Sequence, residues 1–227
     1  MLRVRWFEAP QPLRLLSIYY QAPDVGARIG MLRRPFWTLQ IDLRKDPETL
    51  FGQLHKTVRN EVRRAEKEGI RCETTQNAAA AVDFFNRFAV SRKLRTISLK
   101  RARSRGWFFT EASREGQLLA VHVYLLDRQR RIGRLLYSAT AAEDVPDALA
   151  GFANKLLHSW DMLHLKGGGF DTYDLGGYAK DTDDPQLLGI NRFKERLGGE
   201  LVAFFHYYGL GTWLLMRLRE VARRVAR

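Results

Sequence analysis

Cysteine is almost absent from this chain of 227 residues, and long apolar runs are missing altogether. The single cysteine, Cys72, excludes an intrachain disulfide and a cysteine-based zinc site, and its place in a predicted strand favours packing over nucleophilic chemistry. Low cysteine use is typical of a reducing cytoplasm. No segment has the composition of a membrane span, and residues 1–6 carry charges where a signal peptide is apolar. We therefore expect a cytoplasmic protein.

Motifs of several enzyme classes are also missing. No glycine-rich loop follows a strand and opens a helix at P-loop or Rossmann spacing, so P-loop ATP hydrolysis and hydride transfer are unsupported. The chain has no serine elbow, no His-Glu-x-x-His and no cysteine–histidine cluster, and we expect no metal. His122 lies inside an apolar strand pattern, which favours a buried, hydrogen-bonded histidine over a catalytic one.

Acidic residues are scarce relative to basic ones. The chain has 38 lysines and arginines against 25 aspartates and glutamates, which gives a net charge of +13. This excess predicts an anionic partner: a nucleotide cofactor, RNA, a phosphorylated substrate or a membrane surface. The charge is spread over several predicted helices, which argues against a dedicated nucleic-acid-binding protein. Residues 92–105 contain no acid, and this segment is either an exposed loop and helix end or, as we favour, a phosphate-binding patch.

The hydrophobic periodicity predicts an α+β fold in which one mixed central sheet is flanked by long helices. We expect a single domain over residues 1–208. The predicted helices cover residues 46–68, 77–94, 148–165 and 187–197. The predicted strands cover residues 12–21, 36–43, 70–75, 108–112, 118–126, 132–139, 170–175 and 201–205. Of these, the strands between residues 108 and 139 form a predicted antiparallel meander.

Residues 209–227 form a predicted basic amphipathic helix at the C-terminus. One side of this helix is apolar and comprises Trp213, Leu214, Leu218, Val221 and Val225. The other side is mostly basic and comprises Arg217, Glu220, Arg223, Arg224 and Arg227. A basic helix headed by tryptophan can lie in a membrane interface, here through residues 211–227. Docking of the apolar side on the domain explains the same pattern, and both interpretations stay open.

Two glycine pairs mark the predicted site. Gly176-Gly177 follows Asp174 at the end of a predicted strand, and Gly198-Gly199 follows a predicted helix that carries Arg192 and Lys194. Glycine pairs leave room for a close approach of backbone or ligand. We therefore expect the active site where these two segments meet.

Three stretches of the sequence resemble a known family. They are Leu54–Gly69, with an Arg-Arg-Ala step before the closing glycine; Tyr173–Gly177; and Gly189–Lys194, followed by Gly198-Gly199-Glu200. The order of elements resembles the GNAT acyltransferase fold, and the motifs look like its FemAB-type branch, the peptidoglycan-bridge aminoacyltransferases and their relatives. The resemblance spans residues 43–202. It implies a GNAT-like domain that transfers an acyl group from an activated donor to an amine without a metal.

The resemblance also implies where the donor binds. In GNAT folds the donor lies between two splayed strands, here 132–139 and 170–175, and its phosphates meet the start of the next helix, here 141–150. This chain lacks the glycine-rich pyrophosphate loop and has acids at 141–144, which argues against a standard acetyl-CoA site. It also has one such domain and no coiled-coil arm, whereas bridge-forming members are usually tandem. We therefore favour acyl-CoA or a similar thioester as donor over aminoacyl-tRNA.

Roles for individual residues follow from this chemistry. Asp174 is the expected base for the amine, or else it caps the glycine turn. Lys194 matches the lysine of the family's Phe-Lys step and is expected to stabilise an oxyanion, or else it is an exposed helix lysine. Tyr137 is the expected proton shuttle, or else it packs in the core. The substrate-binding candidates are Arg59, Arg63, Ser138, Tyr178 and Arg192; for Arg59 and Arg63 a solvated helix face is about equally expected.

Three functions stay open at this point. The first is N-acyl transfer to an anionic acceptor, such as an amino sugar or a cell-envelope precursor, by an enzyme peripheral to the inner membrane. The second is an aminoacyl-tRNA-dependent transferase, for which the positive charge is the extra support. The third is a non-catalytic GNAT-like module that binds RNA or membrane.

Overall fold

The chain forms two compact units. The computed structural model describes residues 2–75, 77–141 and 145–225, with the backbone alone at 219–220 and 222–225. The larger unit comprises residues 39–176 and 183–200, and the smaller unit comprises 1–38, 177–182 and 201–227. The expected single domain over residues 1–208 is therefore not confirmed, and the boundary at 208/209 stays a prediction.

Side chains cap the first turn of several helices in the larger unit. The helices of this unit are α1 (Pro47–Gly52), α2 (Lys56–Lys67), α3 (Ala78–Ser91), α4 (Leu99–Ser104), α5 (Asp147–Gly167) and α6 (Pro185–Leu197). Asp46, Ser98 and Asp184 each accept a hydrogen bond from a backbone N–H of the first turn.

The single helix predicted over 46–68 is wrong. The chain breaks between α1 and α2, where the N–H of His55 donates to the carbonyl of Arg196 and the His55 ring accepts from the N–H of Thr57. His55 thus caps a new helix instead of continuing the old one. Helix α4 is a second difference, since no separate helix was predicted within the basic segment 92–105.

The strands of the larger unit form a mixed sheet. Their order is β3, β8, β7, β6, β5, β4, and their bounds are β3 (Met31–Asp42), β4 (Arg71–Thr74), β5 (Phe108–Arg114), β6 (Gln117–Asp127), β7 (Ile132–Thr140) and β8 (Thr172–Tyr178). Strands β4 to β7 pair antiparallel, whereas β7 and β8 pair parallel. The predicted meander and mixed sheet are confirmed.

The two faces of β6 differ in chemistry. Val121 and Val123 belong to an apolar cluster that also includes Phe85 of α3. His122 and Tyr124 alternate with them and hydrogen-bond to α5 on the other face. The period of two therefore places polar, titratable groups in a buried layer under α5.

The smaller unit contains β1 (Arg3–Trp6), β2 (Ser17–Ala22), β9 (Glu200–Gly209) and α7 (Leu210–Val225), with part of β3. Strands β1 and β2 pair parallel, and β2 pairs antiparallel with β9. The strand predicted at 12–21 begins only at Ser17. No helix within the described residues is both long enough and apolar enough to cross a membrane.

Candidate active site

A cavity opens where β7 and β8 part. The registered pairs between these strands are Ile132–Thr172, Gly133–Tyr173 and Arg134–Asp174, but β7 runs on to Thr140. Beyond the last pair lies a cavity of about 400 Å³, bordered by Leu135, Ser138 and Thr140 of β7 and by Leu175 of β8. The cavity thus lies where the family resemblance implied a cleft.

The rest of the cavity wall comes from helices α3, α5 and α6. Apolar side chains dominate this wall, namely Phe88, Leu94, Ile190 and Phe193. The polar side chains are Arg92, Asn154, His158, Gln186 and Lys194. A concave apolar site with a few convergent polar groups is the usual form of a small-molecule site.

Lys194 reaches this cavity from α6. It shares a helix face with Ile190, four residues earlier, and the adjacent Phe193 also lines the cavity. Burial and, next, the positive charge of Arg134 lower the pKa of Lys194 to about 8, while Asp174 partly offsets this. The position is only partly exposed, so Lys194 is not an ordinary solvated helix lysine.

Asp174 lies at the last strand pair and is fully buried. One carboxylate oxygen accepts from Arg134 Nη1 at 3.0 Å and from the N–H of Gly176 at 2.8 Å, and the other accepts from Gln40 Nε2 at 2.8 Å. These three donors occupy the carboxylate, so the structure favours the capping interpretation of Asp174 over that of a base. Gly176 has φ +76°, and a Cβ there would lie 3.0 Å from the Leu135 carbonyl oxygen.

A buried hydrogen-bond network, which the sequence reasoning missed, borders the same cavity. His158 Nδ1 lies 2.6 Å from the hydroxyl of Tyr173, which lies 2.8 Å from the hydroxyl of Tyr124. Tyr124 donates to Asp161 Oδ2 at 2.6 Å, and His122 Nδ1 contacts the same oxygen at 2.6 Å. The expectation of a buried, hydrogen-bonded His122 is confirmed.

A second arm of the network leads back to β7. His122 Nε2 lies 2.8 Å from Asn154 Oδ1, which also accepts from the hydroxyl of Ser138 at 3.1 Å. Ser138 is therefore at the cavity, as expected of a substrate-binding residue. Asn154, His158 and Asp161 follow one another at spacings of four and three residues. This polar stripe on a buried helix is the signal that would have pointed to the network.

Burial sets the protonation of the network. It lowers the pKa of His158 well below 6.5, with further contributions from the positive charges of His122, Lys194 and Lys155. Burial also raises the pKa of Tyr124 and of Tyr173 well above 10. Near neutral pH, His158 is thus a neutral imidazole, and both phenols keep their protons.

Tyr137 is placed away from the cavity lining. Its ring packs against Phe85 at 5.0 Å and Trp107 at 5.5 Å between ring centroids, within the apolar cluster on the other face of β7. Strand alternation explains this, because Ser138 points to α5 and its neighbour must point away. The structure gives Tyr137 the packing role.

The predicted arginines do not line the cavity either. Arg59 Nη1 donates to the carbonyls of Gly52 and Leu54 at 2.8 Å and 2.5 Å and so closes the C-terminal end of α1. Arg63 and Arg192 are exposed. Tyr178 belongs to the smaller unit, where it is half-buried.

The second glycine pair serves backbone packing. A Cβ on Gly198 would lie 3.1 Å from Gln53 Cγ, and one on Gly199 would lie 2.7 Å from the carbonyl oxygen of Gln40. Both glycines have positive φ, which an L side chain adopts only with strain. The close approach at this pair is therefore made by Gln53 and by the backbone of Gln40, and a ligand site there stays a prediction.

The expected phosphate site at 141–150 falls partly outside the described residues, because 142–144 are not described. Helix α5 begins at Asp147, and Pro146 at its cap position provides no side-chain hydrogen bond.

No family model matches this chain, and no curated protein matches it. Solved structures do. The C-terminal domain of a protein named as a lysylphosphatidylglycerol synthetase from Agrobacterium fabrum is similar with a TM-score of 0.58 and 13% identity, over 91% of this chain and 72% of that one. L-PGS from Bacillus licheniformis is similar with a TM-score of 0.60 and 12% identity, over 93% and 73%.

FemX is similar with a TM-score of 0.63 and 14% identity, over 79% of this chain, and the match spans 63% of FemX, somewhat less than two thirds. Identities this low show a shared fold and nothing further. They confirm the family resemblance at the level of the fold, which this chain shares with FemX, with L-PGS and with the synthetase domain.

Proposed function

We propose that this chain is a GNAT-type N-acyltransferase that moves an acyl group from an activated donor to an amine inside the β7–β8 cavity. The observation that carries the proposal is the partly buried Lys194 at the wall of a mainly apolar cavity, beside the point where two parallel strands part. The shared fold with FemX and with the lysylphosphatidylglycerol synthetase domain supports it.

Lys194 is the proposed oxyanion-stabilising group. When an amine attacks a carbonyl carbon, negative charge develops on the carbonyl oxygen, and a cation in a site of low dielectric stabilises that charge strongly. The position of Lys194 in the cavity lining and its partial burial support this role.

The proposed donor is acyl-CoA or a similar thioester, and the proposed acceptor is an amine on an anionic molecule. The net charge of +13 and the exposed Arg92 at the cavity favour an anionic ligand. Acceptors of this class are an amino sugar, a cell-envelope precursor or a lipid-linked amine.

A second candidate function, an aminoacyl-tRNA-dependent transferase, is favoured by one comparison. A lysylphosphatidylglycerol synthetase is named for a product in which a lysyl group is joined to an anionic lipid. The excess of basic residues suits tRNA as well as an anionic lipid.

Donor screening separates these candidates. We expect acetyl-CoA or a longer acyl-CoA to raise the melting temperature of the full chain, and mass spectrometry to detect acyl transfer to a phosphorylated glucosamine. Stabilisation by lysyl-tRNA, with lysyl transfer to vesicles of phosphatidylglycerol, would support the second candidate. If no donor binds and no product forms, the chain is a non-catalytic GNAT-like module.

The smaller unit has a surface that suits an anionic membrane. We call it the leucine patch: the exposed side chains of Leu13, Leu15, Leu16, Ile29, Leu210 and Leu214. Backbone hydrogen bonds hold its segments together, since Leu13 N–H donates to Ile29 O, Leu210 N–H to Gly30 O and Thr212 N–H to Leu15 O. Arg14 lies between Leu13 and Leu15 of the leucine patch and is exposed. Exposed apolar side chains beside arginines favour docking on anionic lipid, peripheral to the inner membrane.

Vesicle sedimentation tests the leucine patch. The double variant Leu13→Ser/Ile29→Ser is expected to bind phosphatidylglycerol vesicles more than about tenfold more weakly, because each buried aliphatic side chain contributes about 1.5–3 kcal/mol. The matched control, Leu163→Ser, alters an exposed leucine of α5 in the larger unit and should bind as the wild type does. Equal binding by the double variant would contradict membrane docking through this patch.

A further inference from the structure

We propose that Nε2 of His158 is the general base of the transfer reaction, and that a hydrogen-bond chain through Tyr173 and Tyr124 to Asp161 holds it in the required tautomer. The inference rests on the proposed acyltransferase function and adds a catalytic residue to it. Asp174, the base expected from the sequence, is fully buried, already accepts three hydrogen bonds and is not among the residues that line the cavity, so another group of the cavity wall is the better candidate for the proton acceptor.

Counting protons along the chain assigns the tautomer. Tyr124 has one hydroxyl proton, which it donates to the Asp161 carboxylate. In the contact between the two phenols, Tyr124 therefore accepts, and Tyr173 must be the donor. Because the hydroxyl proton of Tyr173 is donated to Tyr124, the Tyr173 oxygen accepts a hydrogen bond from His158. Nδ1 of His158 therefore carries the imidazole proton. Nε2 is left with a lone pair.

That lone pair belongs to a ring at the cavity wall. His158 lines the cavity, and Nε2 has no hydrogen-bond partner among the described residues. The ring is fixed on its other sides, by Tyr173 at Nδ1 and by the rings of His122 at 4.2 Å and Phe193 at 5.4 Å between centroids. Nε2 is thus a buried ring nitrogen that has no partner among the described residues, on a side chain that borders the cavity, and this makes it the atom of His158 that is left to accept a proton.

The surrounding charges keep this base unprotonated. His122 faces it from β6, Lys194 from α6 and Lys155 from its own helix, and all of these disfavour an imidazolium together with burial. The Asp161 carboxylate lies at the far end of the hydrogen-bond chain. Once His158 has taken up a proton, this carboxylate stabilises the imidazolium through the two phenols. His158 is therefore unprotonated, and available as a base, at neutral pH.

The step balances as follows. A neutral amine forms a bond from its nitrogen to the acyl carbon, and the carbonyl oxygen takes negative charge beside Lys194. Nε2 of His158 takes the excess proton from that nitrogen. The carbon–sulfur bond of a thioester, or the carbon–oxygen bond of an ester, then breaks; the leaving atom keeps the electron pair and receives the proton from His158. The imidazole returns to its starting form.

The tautomer is tested on the wild-type protein by two-bond ¹H–¹⁵N NMR of its histidines, with His158→Gln for assignment. We expect Nδ1 of His158 to be protonated and Nε2 to be bare. A proton on Nε2 in the free protein overturns the proposal, whether or not any variant folds.

The role of His158 as the base is tested by steady-state kinetics. Acetyl-CoA and lysyl-tRNA are tried as donors, and the one that the wild type uses is taken for the measurements. His158→Gln should lower kcat about 10²–10⁴-fold with little change in KM, and Tyr173→Phe should lower kcat by a smaller factor. The control His164→Gln makes the same change on an exposed residue of the same helix and should leave kcat within about twofold. In a His158→Ala variant, added imidazole should restore part of the rate.

The outcomes separate this inference from the function on which it rests. An active wild type whose His158→Gln variant keeps kcat within about threefold overturns the base and leaves the acyltransferase intact. A wild type that transfers nothing from either donor overturns the proposed function, and the base with it.

Discussion

Replacing Lys194 by methionine removes an ammonium group from the cavity wall and keeps most of the aliphatic part of the side chain. The structure places that charge where burial and Arg134 both disfavour it and Asp174 favours it. Asp174 keeps its hydrogen bonds to Arg134, Gln40 and the N–H of Gly176 in the variant. The variant therefore loses a cation without leaving an unpaired buried carboxylate.

The lowered pKa gives the size of the effect. A fall from 10.5 to about 8 corresponds to about 3 kcal/mol of unfavourable free energy for the charged form, at about 1.4 kcal/mol per pKa unit. Lys194 is not completely buried, so solvent screening reduces this figure. We expect Lys194→Met to raise the free energy of unfolding by about 1–3 kcal/mol at pH 7.

The sign of the pH dependence follows from proton binding. Between pH 8 and 10.5 the unfolded chain holds a proton on Lys194 that the folded chain has lost, so wild-type stability rises with pH across this window. Below pH 8 both states are protonated and the full cost of burying the charge applies. The advantage of the methionine variant should thus be largest below pH 8 and vanish by about pH 10.5.

Chemical denaturation at several pH values measures this stability difference, and initial rates measure catalysis. We expect kcat to fall about 10²–10³-fold in Lys194→Met, the usual loss when one oxyanion donor is removed. Arg196→Met is the matched control, because it removes an exposed cation from the same helix. It should change neither stability nor kcat appreciably.

Two results would refute this reasoning. A methionine variant that is less stable than wild type at pH 7 would show that the ammonium is a net stabilising group. A variant that is more stable than wild type yet fully active would support the cost of burying the charge but refute a catalytic role for Lys194.

Further predictions concern the same strand split. Transfer by the wild type should lose rate above about pH 8, as Lys194 gives up its proton, and pH–rate profiles test this. Arg134→Leu should cost about 3–5 kcal/mol by removing the cation that forms an ion pair with the buried Asp174 carboxylate, and adding Asp174→Asn should recover part of the loss in denaturation experiments. Gly176→Ala should lower the melting temperature, because φ is +76° and a Cβ would lie 3.0 Å from the Leu135 carbonyl oxygen; an unchanged melting temperature would contradict the strain.

Much of the larger unit was predictable because its signals are local. Apolar residues at helical spacing, cap residues such as Asp46 and closing glycines identify most helices to within a few residues. The meander strands alternate clearly, and their turns are short. The break between α1 and α2 was not predictable, because it depends on the carbonyl of Arg196, about 140 positions later in the chain.

The candidate site was only partly predictable, for the same reason. The sequence by itself determined that the chain is strongly basic, and it predicted Asp174 at the end of a strand and Lys194 on the next helix. It did not identify the residue proposed as the general base. The other members of the hydrogen-bond network around that residue, His122, Tyr124, Asp161 and Tyr173, meet only through the strand register and the packing of α5.

The tertiary structure alone decided between the roles that the sequence left open for Arg59 and Tyr137. Arg59 closes a helix end, and Tyr137 packs in the apolar cluster. The sequence could not show this, because the periodicity of a helix or strand indicates two faces without indicating which face meets the cavity. Burial likewise lowers the pKa of Lys194 and of His158, and burial is a property of the packed molecule rather than of the residues themselves.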